Sequence, residues 1–187
     1  TDNLGRPAYR VFRFIRDSVD ATSWTPAQPW VPNGSYFITA LNDQLEVRED
    51  NLRFIKMHLP ITNGFSWKGN RYLPLDAYGS LYDFSIDNTM EDWDFYYDGP
   101  ATSFSYRNNN YADVITVQQA DEVFNIPVTV NSAFGSKSVA VEKYAKNIGL
   151  VYREYSIYEY QPDRAVPGGP NFSYHGFGIT MWMIDHN

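Results

Sequence analysis

Carboxylates and aromatic rings are the side chains here whose type and spacing bear on chemistry. Glu142, Glu154 and Glu159 fall within one β-rich stretch. Glycoside hydrolysis needs two acids roughly 5–9 Å apart across a sugar cleft, so two of these three define a carboxylate-dependent hydrolase as one alternative. The chain carries 22 acidic residues, enough that suggestive pairs arise by composition, and a solvated face is the simpler reading. His58, His175 and His186 are isolated in sequence, without the short spacing of a zinc site. Asp83, Asp87, Asp92 and Asp94 offer hard oxygen ligands but no Asp-x-Asp-x-Asp-Gly loop. The sequence has no nucleophile elbow, P-loop, His-Glu-x-x-His or dinucleotide fingerprint. It therefore implies no catalytic residue, no metal site and no cofactor.

The rings are the better lead. The chain has 15 Tyr, 12 Phe and 5 Trp, more than a core of this size needs. Trp24 and Trp30 lie in or beside a Pro-rich stretch, Thr25 to Gly34, where burial is not guaranteed. Flat rings on loops stack on sugars or anchor a protein partner, and Trp and Tyr dominate interface hot spots. Tyr155, Tyr158 and Tyr160 run toward a second Pro/Gly loop, Pro162 to Pro170. These five residues, Trp24, Trp30, Tyr155, Tyr158 and Tyr160, form the candidate ligand-binding set. Padding of the sheet is the competing reading for each.

Alternation of apolar and polar residues is the recurring pattern that must position them. It marks strands over 8–16, 36–41, 45–47, 52–59 and 65–68, then 93–97, 104–106, 111–119, 138–144, 149–160 and 177–184. Asn63-Gly64, Gly69-Asn70 and Asn108-Asn-Asn110 supply turns. The Pro-rich stretch is excluded from a central strand. Val139 to Tyr155 reads as a hairpin closed over Ala145-Lys-Asn-Ile-Gly149. A helix over 138–148 remains open, because Ala140, Val141, Tyr144, Ala145 and Ile148 share a helical face with Gly149 as its cap. A short helix is also expected near Asn88 to Asp94.

The 187 residues and 43% hydrophobic content fit one domain, residues 1–187. A net charge of −7 with scattered Lys and Arg opposes docking on nucleic acid or anionic lipid. Cysteine is absent, which excludes disulfides and thiolate metal sites. No apolar run approaches the roughly 20 residues that span a bilayer. The opening Thr1-Asp-Asn3 fits a chain cut after a processed export signal.

Four stretches carry a resemblance: Leu52 to Trp67, Tyr111 to Gln118, Glu142 to Glu154 and Gly176 to Asp185. They resemble uncharacterised envelope lipoproteins of Bacteroides-type cells, and the Tyr144-Ala-Lys-Asn-Ile-Gly-Leu-Val151 piece is similar to a strand motif of LolA-like, half-barrel families. The resemblance implies export to the periplasm or outer membrane of a Gram-negative cell. It also implies a lipid anchor on a Cys upstream of Thr1. No functional residues come with it. The combined expectation is a mainly β domain of antiparallel strands in a strongly curved or partly closed sheet, with few or no helices. Its expected role is that of a non-enzymatic binding module for a glycan or envelope protein partner, with a lipid or apolar-ligand carrier in the periplasm, the carboxylate-dependent hydrolase or a structural scaffold as alternatives.

Overall fold

The computed structural model describes residues 1–16, 29–84, 89–162 and 171–186. Eleven strands run in chain order: β1 (Tyr9–Ile15), β2 (Val31–Ala40), β3 (Gln44–Glu49), β4 (Leu52–His58), β5 (Ser66–Lys68), β6 (Asp94–Tyr97), β7 (Thr102–Tyr106), β8 (Asn109–Phe124), β9 (Gly135–Ala145), β10 (Gly149–Gln161) and β11 (Ser173–Trp182). The one helical element among the described residues is a 3-10 turn, Met90–Asp92. All pairings are antiparallel. The mainly β, antiparallel expectation is met. The expected curvature is not: both sheets are open, and neither is closed or strongly curled.

The chain groups into two compact units, Thr1–Pro60 and Ile61–Asn187. Unit 1 is a four-stranded meander in the order β1-β2-β3-β4. Its second strand corrects the sequence reading, because β2 begins at Val31 and includes Pro32 and Gly34. The physical reason lies in the pairing. β3 reaches β2 only at residues 37–40, so Pro32 faces β1 alone and its missing N–H breaks no ladder bond on the other side.

Unit 1 encloses charge. Glu46 is 2% exposed and accepts hydrogen bonds from Arg53 Nε at 2.9 Å, Arg53 Nη2 at 2.7 Å and Arg6 Nη2 at 2.6 Å, with Gln44 also donating. Asp2 closes the cluster, accepting from Arg6 Nε at 2.8 Å and the Thr39 hydroxyl at 3.0 Å. Burial alone would raise the Glu46 carboxyl. The bonds from Arg53 and Arg6, the Arg53 charge and the Gln44 amide together hold it below its ordinary value of 4.5.

Unit 2 is a seven-stranded sheet in the order β11-β10-β9-β8-β6-β5, with β7 pairing β8 off that path. The hairpin reading of 139–155 holds and the helix is excluded: β9 and β10 pair from Gly149↔Ala145 to Tyr160↔Gly135. Lys146, Asn147 and Ile148 make the turn, with Asn147 at φ 65° and Gly149 at φ 108°. The longer β8–β9 connection is pinned by Asn125, whose side chain donates to the carbonyls of Val130 and Ala133 and accepts from the N–H of Thr129 and Val130. One sheet face buries Phe95, Tyr97, Val117 and Ile157, with Trp67 ringed by Phe95 at 6.0 Å and Tyr97 at 4.9 Å. A second cluster, Tyr111, Val114, Ala145 and Val151, packs with Phe104, Ile148 and Met183.

A carboxylate whose folded pKa is depressed stabilises the fold above its unfolded pKa, and that stabilisation is lost as pH falls through the folded value. Unit 1 is therefore expected to lose stability as pH drops below about 4.5. Urea titration read by hydrogen-exchange mass spectrometry on peptides from 44–58 checks this. Glu46→Gln should flatten the acid dependence while lowering stability at pH 7.

Candidate functional site

Strand parity decides which residues of unit 2 can act together. Beyond a bulge at Val151, Tyr152, Glu154, Ser156, Tyr158 and Tyr160 fall on one face of β10, while Arg153, Tyr155, Ile157 and Glu159 fall on the other. The candidate tyrosines are thereby separated. Tyr155 is half-buried among Tyr78, Trp93 and Phe177, at ring distances of 6.4, 6.4 and 5.3 Å. Burial pushes its phenol well above 10, and the neighbouring Tyr78 and Glu142 add to that rise. This is a packing role.

Tyr158 and Tyr160 lie on the opposite face with residues of β11. Tyr160 is directly opposite Tyr174, 5.3 Å away, and Tyr158 meets the same ring at 6.1 Å. Phe172 completes this cluster, 5.7 Å from Tyr160. Tyr160 itself is 4% exposed, and its hydroxyl donates to the Asn131 carbonyl at 2.8 Å, so it supports the cluster from beneath. Tyr174 is the accessible ring, at 54%.

A second ring cluster lies farther along the same face. Tyr152 is opposite Trp182, with ring centres 5.8 Å apart. Tyr106 stacks on Trp182 at 5.0 Å and 12°, and Phe104 lies 5.6 Å from Tyr152. Trp182 remains 40% exposed. Between Tyr174 and Trp182, β11 turns only Gly176, Gly178 and Thr180 toward this face. The two rings stand eight residues apart, about 26 Å along a strand. Ser156 and Glu154 border the gap on β10, opposite Gly178 and Thr180, and Lys137 pairs with Glu154 at 2.9 Å.

The two glycines differ. Gly176 has φ 123°, and a Cβ there would meet the Ile157 carbonyl oxygen at 2.1 Å, so no side chain fits. At Gly178 the nearest contact of a Cβ would be the Ser156 hydroxyl at 3.3 Å, which can rotate aside.

The other sequence candidates are dispersed. Trp24 and Asp87 lie outside the described residues. Trp30, in unit 1, is 58% exposed with the Arg16 guanidinium 4.1 Å over its ring. Glu142 and Glu154 face opposite sides of the sheet, as do Glu154 and Glu159. Glu142 and Glu159 share a face but stand six strand positions apart, roughly 20 Å. None of these pairs has the spacing that two-carboxylate hydrolysis needs. Glu142 is 2% exposed and is satisfied internally by Arg153 Nε at 2.7 Å, Gln119 Nε2 at 2.7 Å and the Tyr144 hydroxyl at 2.8 Å. His175 contacts the Ser173 hydroxyl at 2.9 Å, but the described residues supply no second partner to orient the ring as a general base. Among the described residues no group of three or more His, Asp or Glu side chains is gathered for a metal.

Sequence reasoning missed Trp182, Tyr174 and the glycines between them. The signal was present as a period-two series, Tyr174-x-Gly-x-Gly-x-Thr-x-Trp182. Comparison with family models, curated proteins and solved structures finds no match.

Two outcomes follow from this geometry. Gly178→Ala should leave the thermal midpoint of unit 2 nearly unchanged, whereas Gly176→Ala should lower it markedly, as read by circular dichroism. Arg153→Met should destabilise by roughly 3 kcal/mol, because it strands the buried Glu142 charge. Adding Glu142→Gln should recover part of that loss in a double-mutant cycle.

Proposed function

We propose that unit 2 is a non-enzymatic binding module for a glycan, and that the glycan lies along β11 between Tyr174 and Trp182. One observation carries this reading: two ring clusters stand on one sheet face, and the strand between them offers Gly, Gly and Thr in place of larger side chains. A sugar has an apolar C–H face and a hydroxyl rim. Rings at both ends of the strip can stack on the former, while Thr180, Glu154 and Lys137 can hydrogen-bond the latter. An extended chain suits a strip about 26 Å long better than a compact ligand does. Half-exposed rings with little left to reorganise are the usual anchors of such recognition.

Lipid carriage needs an enclosed apolar space, and the glycan reading is preferred because the rings stand on an open sheet face. Export, an envelope location and an anchor upstream of Thr1 belong to the same proposal. They rest on the resemblance of the four strand stretches to envelope lipoproteins.

Affinity electrophoresis against glucans, mannans, xylans and mucin glycans tests the proposal, with calorimetry on any polysaccharide that retards the protein. Trp182→Ala and Tyr174→Ala should each weaken binding about tenfold or more, equivalent to about 1.4 kcal/mol. Gly178→Val should abolish binding by filling the strip while leaving the thermal midpoint within a few degrees. No retardation by any polysaccharide, or retardation indifferent to all three substitutions, overturns the assignment.

A further inference from the structure

The outer edge of β11 is unprotected, in contrast to the edge strands β1, β4 and β5. Proteins blunt exposed edges with charge, proline, bulges or brevity. β1 carries Arg10 and Arg13 and pairs through a bulge. β4 carries Arg53 and Lys56 and is also bulged. β5 is three residues long. β11 runs ten residues, Ser173–Trp182, without Asp, Glu, Lys, Arg or Pro, and holds unbroken register with β10 throughout. Among the described residues no strand pairs with its outer side. Residues 178–182 are exposed whichever face they point to, including Ile179 at 48% and Met181 at 43%.

We propose that this edge pairs with the same edge of a second copy, forming a twofold dimer through antiparallel β11 strands with the axis at Gly178. Two features of the strand select this occupant. First, a strand without Asp, Glu, Lys or Arg can meet its own copy without like charges opposed, in a chain whose net charge is −7. Second, the strand is complementary to itself about Gly178. Antiparallel pairing there sets Tyr174 opposite the partner's Trp182, Phe177 opposite the partner's Ile179, and Gly176 opposite the partner's Thr180. Aromatic meets aromatic and aromatic meets β-branched, which are favourable cross-strand pairs, while Gly176–Thr180 and His175–Met181 set no two acidic or basic residues of like sign opposite each other. A twofold axis normal to the sheet keeps each face continuous, as an isologous interface requires. The proposal is independent of what the ring-bearing face binds.

The absence of cysteine makes a direct test clean. In the Gly178→Cys variant the two thiols would sit on directly opposed residues, with Cα atoms about 4.5–5.5 Å apart, inside the range a disulfide spans. Oxidation should give a covalent dimer in high yield. Thr180→Cys places its thiols four residues out of register, roughly 13 Å apart, and should not crosslink. Sedimentation equilibrium of the unmodified protein should show a concentration-dependent dimer. Met181→Lys should shift it to monomer with an unchanged circular dichroism spectrum. A monomer at all concentrations overturns the proposal, and so does crosslinking of Thr180→Cys as fast as Gly178→Cys.

Discussion

The Glu142–Arg153 pair fixes what the rest of unit 2 can be. Glu142 is almost wholly removed from water, and its nearest compensating charge stands directly opposite on β10. A one-residue slip of β10 against β9 would send Arg153 to the other face and leave the carboxylate unpaired, at a cost of several kcal/mol. The same slip would exchange Tyr155 with its neighbours, turning a packed ring outward and the accessible rings inward. One buried ion pair thus sets which aromatics are structural and which are offered to solvent. The bulge in β8 supports it, because the extra residue, Gln119, is the one whose amide reaches Glu142.

Unit 1 solves a similar problem with different parts. Glu46 is bracketed by arginines from β4 and from the segment before β1, so residues far apart in the chain are tied to one carboxylate. The hydroxyl of Thr39 and the Asp2 side chain extend the network across β2. In both units charge is placed inside a sheet and almost fully satisfied. Removing one partner of such a group is costly because it leaves the other charge buried.

Much of the fold was legible in the chain itself. The turn residues between 145 and 149, the alternation of 52–58 and the punctuation at Gly64 and Gly69 all found their elements. Pro32 misled, because a proline forbids only the hydrogen bond on its own side, and sequence does not say which side of a strand is empty. The binding face was harder to read. Tyr155, Tyr158 and Tyr160 look equivalent in a line of residues, but a spacing of three puts the first on the opposite face from the other two. The glycines at 176 and 178 stand in period with Tyr174 and Trp182, but their meaning as a gap appears only when those two rings are placed on the same face as them.

The tight link at Lys146-Asn147-Ile148 also bears on how the molecule comes together. From β8 to β11 every strand pairs with the one that follows it, so each new rung closes a short stretch of chain instead of a long one. Pairings of this kind form early because little entropy is lost in closing them. The hairpin over those three residues is then the natural seed, with growth spreading outward on both sides. β5 pairs with β6 across a longer stretch of chain, so closing that pair costs more entropy.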